Sequence, residues 1–390
     1  MENFQFYSPT FFAFGRGSEQ QVGELVRRFG GHKALVHYGG GSIKKNGVYD
    51  RVMASLTQAG IPAVELGGVQ PNPRSGLVYT GIDLCRREGI DFILAVGGGS
   101  AIDSAKAIAA GVPYEGDFWD YYRTGKPVQQ ALPVGTVLTI AAAGSEGSPD
   151  TVITQEDGMY KRGATGDALR PRFSILNPEF TLSLGAFQTA CGITDIMAHV
   201  CERYFTNTTE VEVTDRLCEG VLLTMVQAAP RVIANLEDYD ARANILWAGM
   251  VAHNNLVGVG RKQDWNSHRI EHELSARFDV AHGAGLAVIM PAWMRHVMRH
   301  DVMRFAQFAT RVWGCNMDFA NPEATALEGI VRFRAFLTGL GMPATLGELG
   351  IGEAEIPALV DHLFALEAEP LPGFMPLTRK DVEAIYRLAL

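Results

Sequence analysis

The chain has 390 residues, 47% hydrophobic and 20% charged, which is enough to bury a large core in two domains and too apolar for a disordered tail. Acidic residues outnumber basic ones 43 to 34, and the resulting net charge of -9 speaks against a nucleic-acid partner, whose phosphates require a basic surface. The start, "MENFQFYSPTFFAFGRG", lacks the pattern of a signal peptide, and the longest apolar run, "LAVIMPAWM", is far short of the ~20 residues of a membrane span.

In chain order, "KALVHY" (33–38) reads as a strand ending in Gly-Gly-Gly-Ser, and "VYDRVMASLTQAG" as a helix. "LVYTGIDLCRREG" is a second helix, "FILAV" (92–96) a strand ending in the same turn, and "ALPVGTVLTI" (131–140) a further strand. Strand and helix in alternation predict βαβ units and a mostly parallel sheet. Past about Leu182 the texture changes. "FQTACGITDIMAHVCERYFT", "VTDRLCEGVLLTMVQAAPRVIANL", "RHVMRHDVMRFAQFATRVWG" and "ALEGIVRFRAFLTGLG" all follow the 3.6-residue period, with no comparable β-rich run. The fold class is therefore α/β plus all-α: an α/β domain over 1–182 and an all-helical one over 183–390. Five cysteines (85, 191, 201, 218, 315) contain no CxxC pair and read as reduced thiols of a cytoplasmic protein.

"FILAVGGGSAIDSAKAIAAG" (92–111) is a strand, a glycine turn and an alanine-rich helix with Ser100 as its N-cap. Gly97, Gly98 and Gly99 let the backbone approach a bulky anion, and the helix's free N–H groups favour a pyrophosphate. A bare strand-to-helix turn would also need glycine, but "KALVHYGGGSIKK" repeats the arrangement at Gly39, Gly40, Gly41 and Ser42. A dinucleotide site often carries an acidic residue at such a strand end to hold the ribose hydroxyl. Here Gly40 stands instead, followed by Ser42, Lys44 and Lys45. With no carboxylate to repel a 2′-phosphate and two cations to attract one, the turn favours NADP(H) over NAD(H).

"WNSHRIEHELSARFDVAHGAG" holds His268, His272 and His282. The first two share a helix face, with Ile270 and Leu274 opposite. On one unbroken helix His282 would lie roughly 21 Å from His268, so the helix must end for both to reach one ion. Glycines 283 and 285 mark a place for the chain to fold back. Upstream, "GITDIMAHVCERYF" puts Asp195 and His199 four apart, with Glu202 nearly on their face and Ile196, Met197 and Val200 turned away. A carboxylate with several imidazoles suits Fe²⁺ or Zn²⁺ and leaves room for a substrate oxygen. The competing reading is an amphipathic helix with a solvated polar face. His253 in "VAHNN" reads as structural.

With these segments in this order, together with "NFQFYSPTFFAFG", "PNP", "AGSEGS" and "SHRIEHELSARFDVAHGAGLAVIMPAWM", the sequence resembles the iron-containing (group III) alcohol dehydrogenases, nearest their butanol dehydrogenase and aldehyde reductase branch. The resemblance covers nearly the whole chain. It implies the dehydroquinate synthase-like fold, a dinucleotide-binding α/β domain followed by a helical metal domain with the reaction in the cleft between. It also implies metal ligands Asp195, His199, His268 and His282, with Fe²⁺ ahead of Zn²⁺ and His272 near the substrate. For the cofactor it implies the pyrophosphate at Gly97 to Ser100, Asp103 and Lys106 matching "GGGSxxDxxK", and Asn72, Thr139, Lys161 and Leu176 near the nucleotide. Relatives that prefer NAD carry an aspartate where Gly40 stands. This chain departs at Ala143, where many relatives have threonine.

The function implied is reversible, metal-dependent hydride transfer between NADP(H) and primary alcohols or aldehydes, by a cytoplasmic homodimer. A lyase of the dehydroquinate-synthase kind on the same architecture would need basic residues around a phosphorylated substrate, and none is identifiable. The other alternative is a non-catalytic NADPH- and metal-binding sensor.

Overall fold

The computed structural model describes residues 1–390. In chain order it begins with β1 (Phe11–Phe14), α1 (Val22–Arg28), β2 (Ala34–Tyr38), α2 (Ser42–Lys45), α3 (Val48–Gln58), β3 (Ala63–Leu66) and α4 (Ser75–Glu88). Next come β4 (Phe92–Gly97), α5 (Gly99–Gly111), α6 (Trp119–Thr124), β5 (Val134–Leu138), β6 (Asp150–Gln155), β7 (Tyr160–Thr165) and β8 (Phe173–Leu176). Helices alone follow: α7 (Ala186–Tyr204), α8 (Glu212–Ala234), α9 (Tyr239–His253), α10 (Asn266–Phe278) and α11 (His282–Val297). The last are α12 (Val302–Trp313), α13 (Pro322–Gly339), α14 (Ile356–Leu363) and α15 (Arg379–Leu388).

The chain packs as two compact units, Tyr7–Leu184 with Leu236–Asn254, and Met1–Phe6 with Gly185–Asn235 and Asn255–Leu390. The first contains a six-stranded sheet in the order β1-β8-β5-β4-β2-β3, parallel throughout. Strands β2 and β4 are buried along their whole length because both faces of the sheet are covered. Leu35, Ile93 and Ala95 pack in one core with Val78 and Ile108, while Val36, Leu94 and Val96 pack in another with Val26 and Val52. The chain leaves β2 toward β3 at one edge of the sheet, and leaves β4 toward β5 on the other side. The turns after β2 and β4 thus diverge from neighbouring strands, which opens a crevice at their carboxyl ends. Both glycine turns lie there.

The second unit is helical. Helix α7 is buried almost all round, polar residues included, so its Asp195, His199, Glu202 and Arg203 need partners inside the unit. Helix α8 has the length and mean hydropathy of a membrane span. Even so, its Asp215 bonds Arg261 at 2.9 Å and Arg304 at 2.5 Å, and Leu222, Met225 and Ala229 are buried.

Several expectations shift. The strand of "FFAF", β1, precedes the expected first strand and pairs with β8 at the sheet edge. An antiparallel hairpin, β6–β7, lies apart from the main sheet. The stretch 295–314 is not one helix, because Asp301 accepts a hydrogen bond from the Arg304 N–H and caps a new helix. Helix α9 belongs with the α/β unit, where Trp247 meets Phe12 and Phe14 edge-on at 5.8 and 5.9 Å.

Lys106 of α5 is fully buried, and its ammonium donates to the carbonyls of Ser145 (2.7 Å), Ser148 (2.9 Å) and Asp150 (2.8 Å). Beside it Asp103 accepts from the Ser145 hydroxyl at 2.6 Å and the Val152 N–H at 2.9 Å. Together they fasten α5 to the loop at 145–148 and to the start of β6. Lys106→Met would leave those carbonyls without a donor and should destabilise the protein by about 3–5 kcal/mol, read as a lower urea midpoint.

Candidate metal centre

Three helices of the second unit converge on one carboxylate. Asp195 and His199 stand one turn apart on α7, and the Nε2 of His199 lies 3.3 Å from Asp195 Oδ1. His268, from the first turn of α10, brings its Nε2 to 3.6 Å from the same oxygen, and His282, the first residue of α11, to 3.7 Å. Ligands about 2.1 Å from a tetrahedral ion lie about 3.4 Å from one another, so these spacings fit one small divalent cation. Asp195, His268 and His282 offer atoms all within 4.8 Å, and His199 joins from the α7 side.

The rings are aimed from behind. Glu202 is fully buried; its Oε2 lies 2.5 Å from His268 Nδ1, and its Oε1 accepts the His268 backbone N–H at 3.0 Å. Glu271, also fully buried, meets Nδ1 of His282 and accepts the Ser275 hydroxyl. Each carboxylate lies against Nδ1 of its ring and favours the tautomer protonated there, with Nε2 facing Asp195. Burial alone would lower the pKa of the His268 ring, yet Glu202 and Asp195 raise it to about 9. The pocket favours positive charge, as a cation site must.

The chain folds back between His268 and His282, but not through the glycines. The reversal falls at Asp279, which takes the left-handed conformation (φ 53°) at the end of α10. Gly283 and Gly285 serve close approach instead. A Cβ at 283 would stand 2.1 Å from the Cys191 carbonyl oxygen, and one at 285 would stand 2.5 Å from Glu271 Oε1. His272 lies beside the centre, its ring 5.6 Å from that of His282 and 6.2 Å from that of His268. His253, in the α/β unit, is a structural residue whose Nε2 lies 3.3 Å from Asp150 Oδ2.

The α/β unit gathers most of the expected nucleotide residues. Helix α5 starts at Gly99 with Gly98 as its cap, so Ser100 lies within the first turn rather than capping it. The Gly98 carbonyl accepts from Ala101 and Ile102, and the first-turn N–H groups of Gly99 and Ser100 precede those bonds. Thr139 sits next to this turn, its N–H bonded to the Gly97 carbonyl at 3.0 Å, and Ala143 lies where a Cβ on Gly99 would touch it at 3.4 Å. Lys161 of β7 donates to Asn72 Oδ1 at 2.9 Å. In the turn after β2, Gly41 is left-handed (φ 93°) ahead of Ser42, Lys44 and Lys45, and Gly39 abuts the Val69 carbonyl, where a Cβ would stand 3.3 Å away. Leu176 is not brought among them, because its side chain is in the core. Asp103 is spent partly on the brace with Ser145 and Val152. The sequence reading gave no role to Glu202 or Glu271, and the only signal for Glu271 was its place between the histidines of "HRIEHE".

Two outcomes test the centre. His268→Ala should abolish bound metal and turnover, whereas His272→Ala should keep the metal and slow the reaction, as read by metal analysis alongside rates. Glu202→Gln should weaken metal affinity about 10–100-fold while the fold is retained; unchanged affinity would show that Glu202 does not orient His268.

Residues 9–178 match the family described as iron-containing alcohol dehydrogenase, and residues 189–390 match the C-terminal part of that family. The chain is 44% identical, over the whole of both sequences, to a probable NADH-dependent butanol dehydrogenase of Bacillus subtilis. It is 36% identical to an NADPH-dependent aldehyde reductase of Escherichia coli, over 93% of each. A solved structure of an NADH-dependent butanol dehydrogenase from Thermotoga maritima superposes with a TM-score of 0.97 at 41% identity, covering 100% of this chain and 99% of that one. With these matches spanning both the glycine turns and the histidine cluster, the chain belongs to the iron-containing alcohol dehydrogenase family and is an oxidoreductase of alcohols and aldehydes.

Proposed function

We propose that the protein catalyses reversible hydride transfer between NADP(H) and a primary alcohol or aldehyde of butanol size, with aldehyde reduction its working direction. The observation that carries this reading is the convergence of three ring nitrogens on Asp195 Oδ1. When bound, Fe²⁺ or Zn²⁺ supplies a Lewis acid for the substrate oxygen, and the nicotinamide supplies the hydride.

The chain's own residues do the rest. Asp195 adds one negative charge to three neutral imidazoles, so the donor set does not cancel the charge of a dication. Glu202 and Glu271 keep Nε2 of His268 and His282 turned inward and hold the rings against rotation. His272, half-buried at the edge of the cluster, passes a proton between the substrate oxygen and solvent. Gly97 to Ser100 hold the pyrophosphate at the start of α5. The glycine at position 40, with Ser42, Lys44 and Lys45 behind it, supports NADP(H). A second reading, NAD(H), is favoured by the names of relatives such as the Bacillus subtilis protein and by a carboxylate, Glu65, bonded to Lys44 at 2.8 Å.

The same reading makes the protein a homodimer of the cytoplasm. Strand β1 ends the parallel sheet with an open edge, and Phe14 and Trp247 are 44% exposed beside it. All five cysteines are free of disulfides.

Butanal added to metal-loaded enzyme with NADPH should deplete the nicotinamide absorbance, faster than with NADH. No depletion with either nucleotide would overturn the activity, and depletion with NADH alone would overturn the cofactor. Light scattering in solution should give twice the chain mass, and Trp247→Lys should lower it to one.

A further inference from the structure

We propose that Glu65 sets cofactor preference at the first glycine turn by holding Lys44 away from a 2′-phosphate. This takes from the reading above only that the turn after β2 holds the nucleotide, and it favours the second cofactor reading given there, NAD(H), over NADP(H). Glu65 pairs in register with Val36, so it faces the same side of the sheet as Tyr38, the last residue of β2 before the turn. There it is the hub of a four-residue cluster. Lys44 Nζ donates to Glu65 Oε2 at 2.8 Å, the Tyr38 hydroxyl donates to the same oxygen at 2.8 Å, and the Tyr49 hydroxyl donates to Oε1. The Lys44 ammonium also lies 5.1 Å and 4.5 Å from the Tyr38 and Tyr49 ring centroids.

These contacts give the pair a fixed geometry on an accessible surface. The side chains of Lys44 and Glu65 are 46% and 38% exposed, so a ligand at the turn can reach both. Lys44 and the two hydroxyls keep the carboxylate ionised, its pKa lowered to about 2 chiefly by the Lys44 bond. A 2′-phosphate arriving at Gly40 to Ser42 therefore meets a cation that is already neutralised and an anion beside it. A ribose hydroxyl brings no charge and pays neither penalty. The turn's own sequence, which lacks a carboxylate, hides this discrimination because Glu65 reaches it from the adjacent strand.

The test reads binding without turnover. Calorimetry on the full-length protein would compare ADP-ribose with its 2′-phosphorylated form for the wild type, Glu65→Gln, and Glu65→Gln combined with Lys44→Met. The single variant should bind the phosphorylated ligand about tenfold more tightly relative to ADP-ribose, and the double variant should lose that gain. An unchanged ratio in Glu65→Gln overturns the proposal, as does a gain that survives loss of Lys44. Loss of both ligands in the single variant also overturns it, by making Glu65 a brace of the turn. If neither ligand binds the wild type, the nucleotide reading itself fails, an outcome distinct from the others.

Discussion

The helical unit is organised around an electrostatic debt at one point. Asp195, Glu202 and Glu271 bring three carboxylates into a region where none is more than 4% exposed, and the side chains nearest them are imidazoles. Buried charge is tolerated only when it is paired or coordinated. The two rear carboxylates lie against Nδ1 of His268 and His282, which turns the remaining nitrogens toward Asp195. That arrangement leaves the inner face of the cluster rich in lone pairs, and only a cation completes it. The raised pKa of His268 is the same preference expressed with a proton.

Much of the surrounding structure serves this point. Helix α11 must approach α7 closely for His282 to reach Asp195, and Gly283 is the position where a side chain would keep it away, while Gly285 allows the same close approach to Glu271 of α10. Trp265 packs edge-on against His199 and His268 at 5.7 and 5.5 Å, with the Arg203 guanidinium 4.7 Å from its own ring. The α/β unit has a different logic, in which the order of the strands does the work. The two glycine turns occupy the carboxyl ends of β2 and β4, where the chain leaves in opposite directions.

What could be read from the residues follows from how local each relation is. Asp195 and His199 share a face by helix geometry alone, and the need for a reversal between His268 and His282 follows from helix rise. The alternation of strands and helices before Leu182 and the helices after it were visible for the same reason. Relations that depend on tertiary approach were not visible. Glu271 meets His282 only once α11 has folded back, and Glu65 meets Lys44 only because β3 pairs with β2. The fixing of Lys106 by three carbonyls, and the burial of Leu176 in the core, likewise depend on packing that no spacing reports. Helix α9 was not among the periodic stretches, and which core it joins is decided by the apolar faces of Phe12, Phe14 and Trp247.

The placement of α9 has a consequence for how the chain can be divided. The polypeptide passes from one compact unit to the other at 6/7, 184/185, 235/236 and 254/255. Neither unit is a continuous stretch, so a fragment cut near residue 182 would carry the strands but leave behind the helix that covers Phe12. The complementary fragment would keep that helix as an insertion with nothing to pack on. Domain exchange with a related enzyme would therefore succeed only if 236–254 travels with the N-terminal sequence, and truncation libraries should yield no soluble halves.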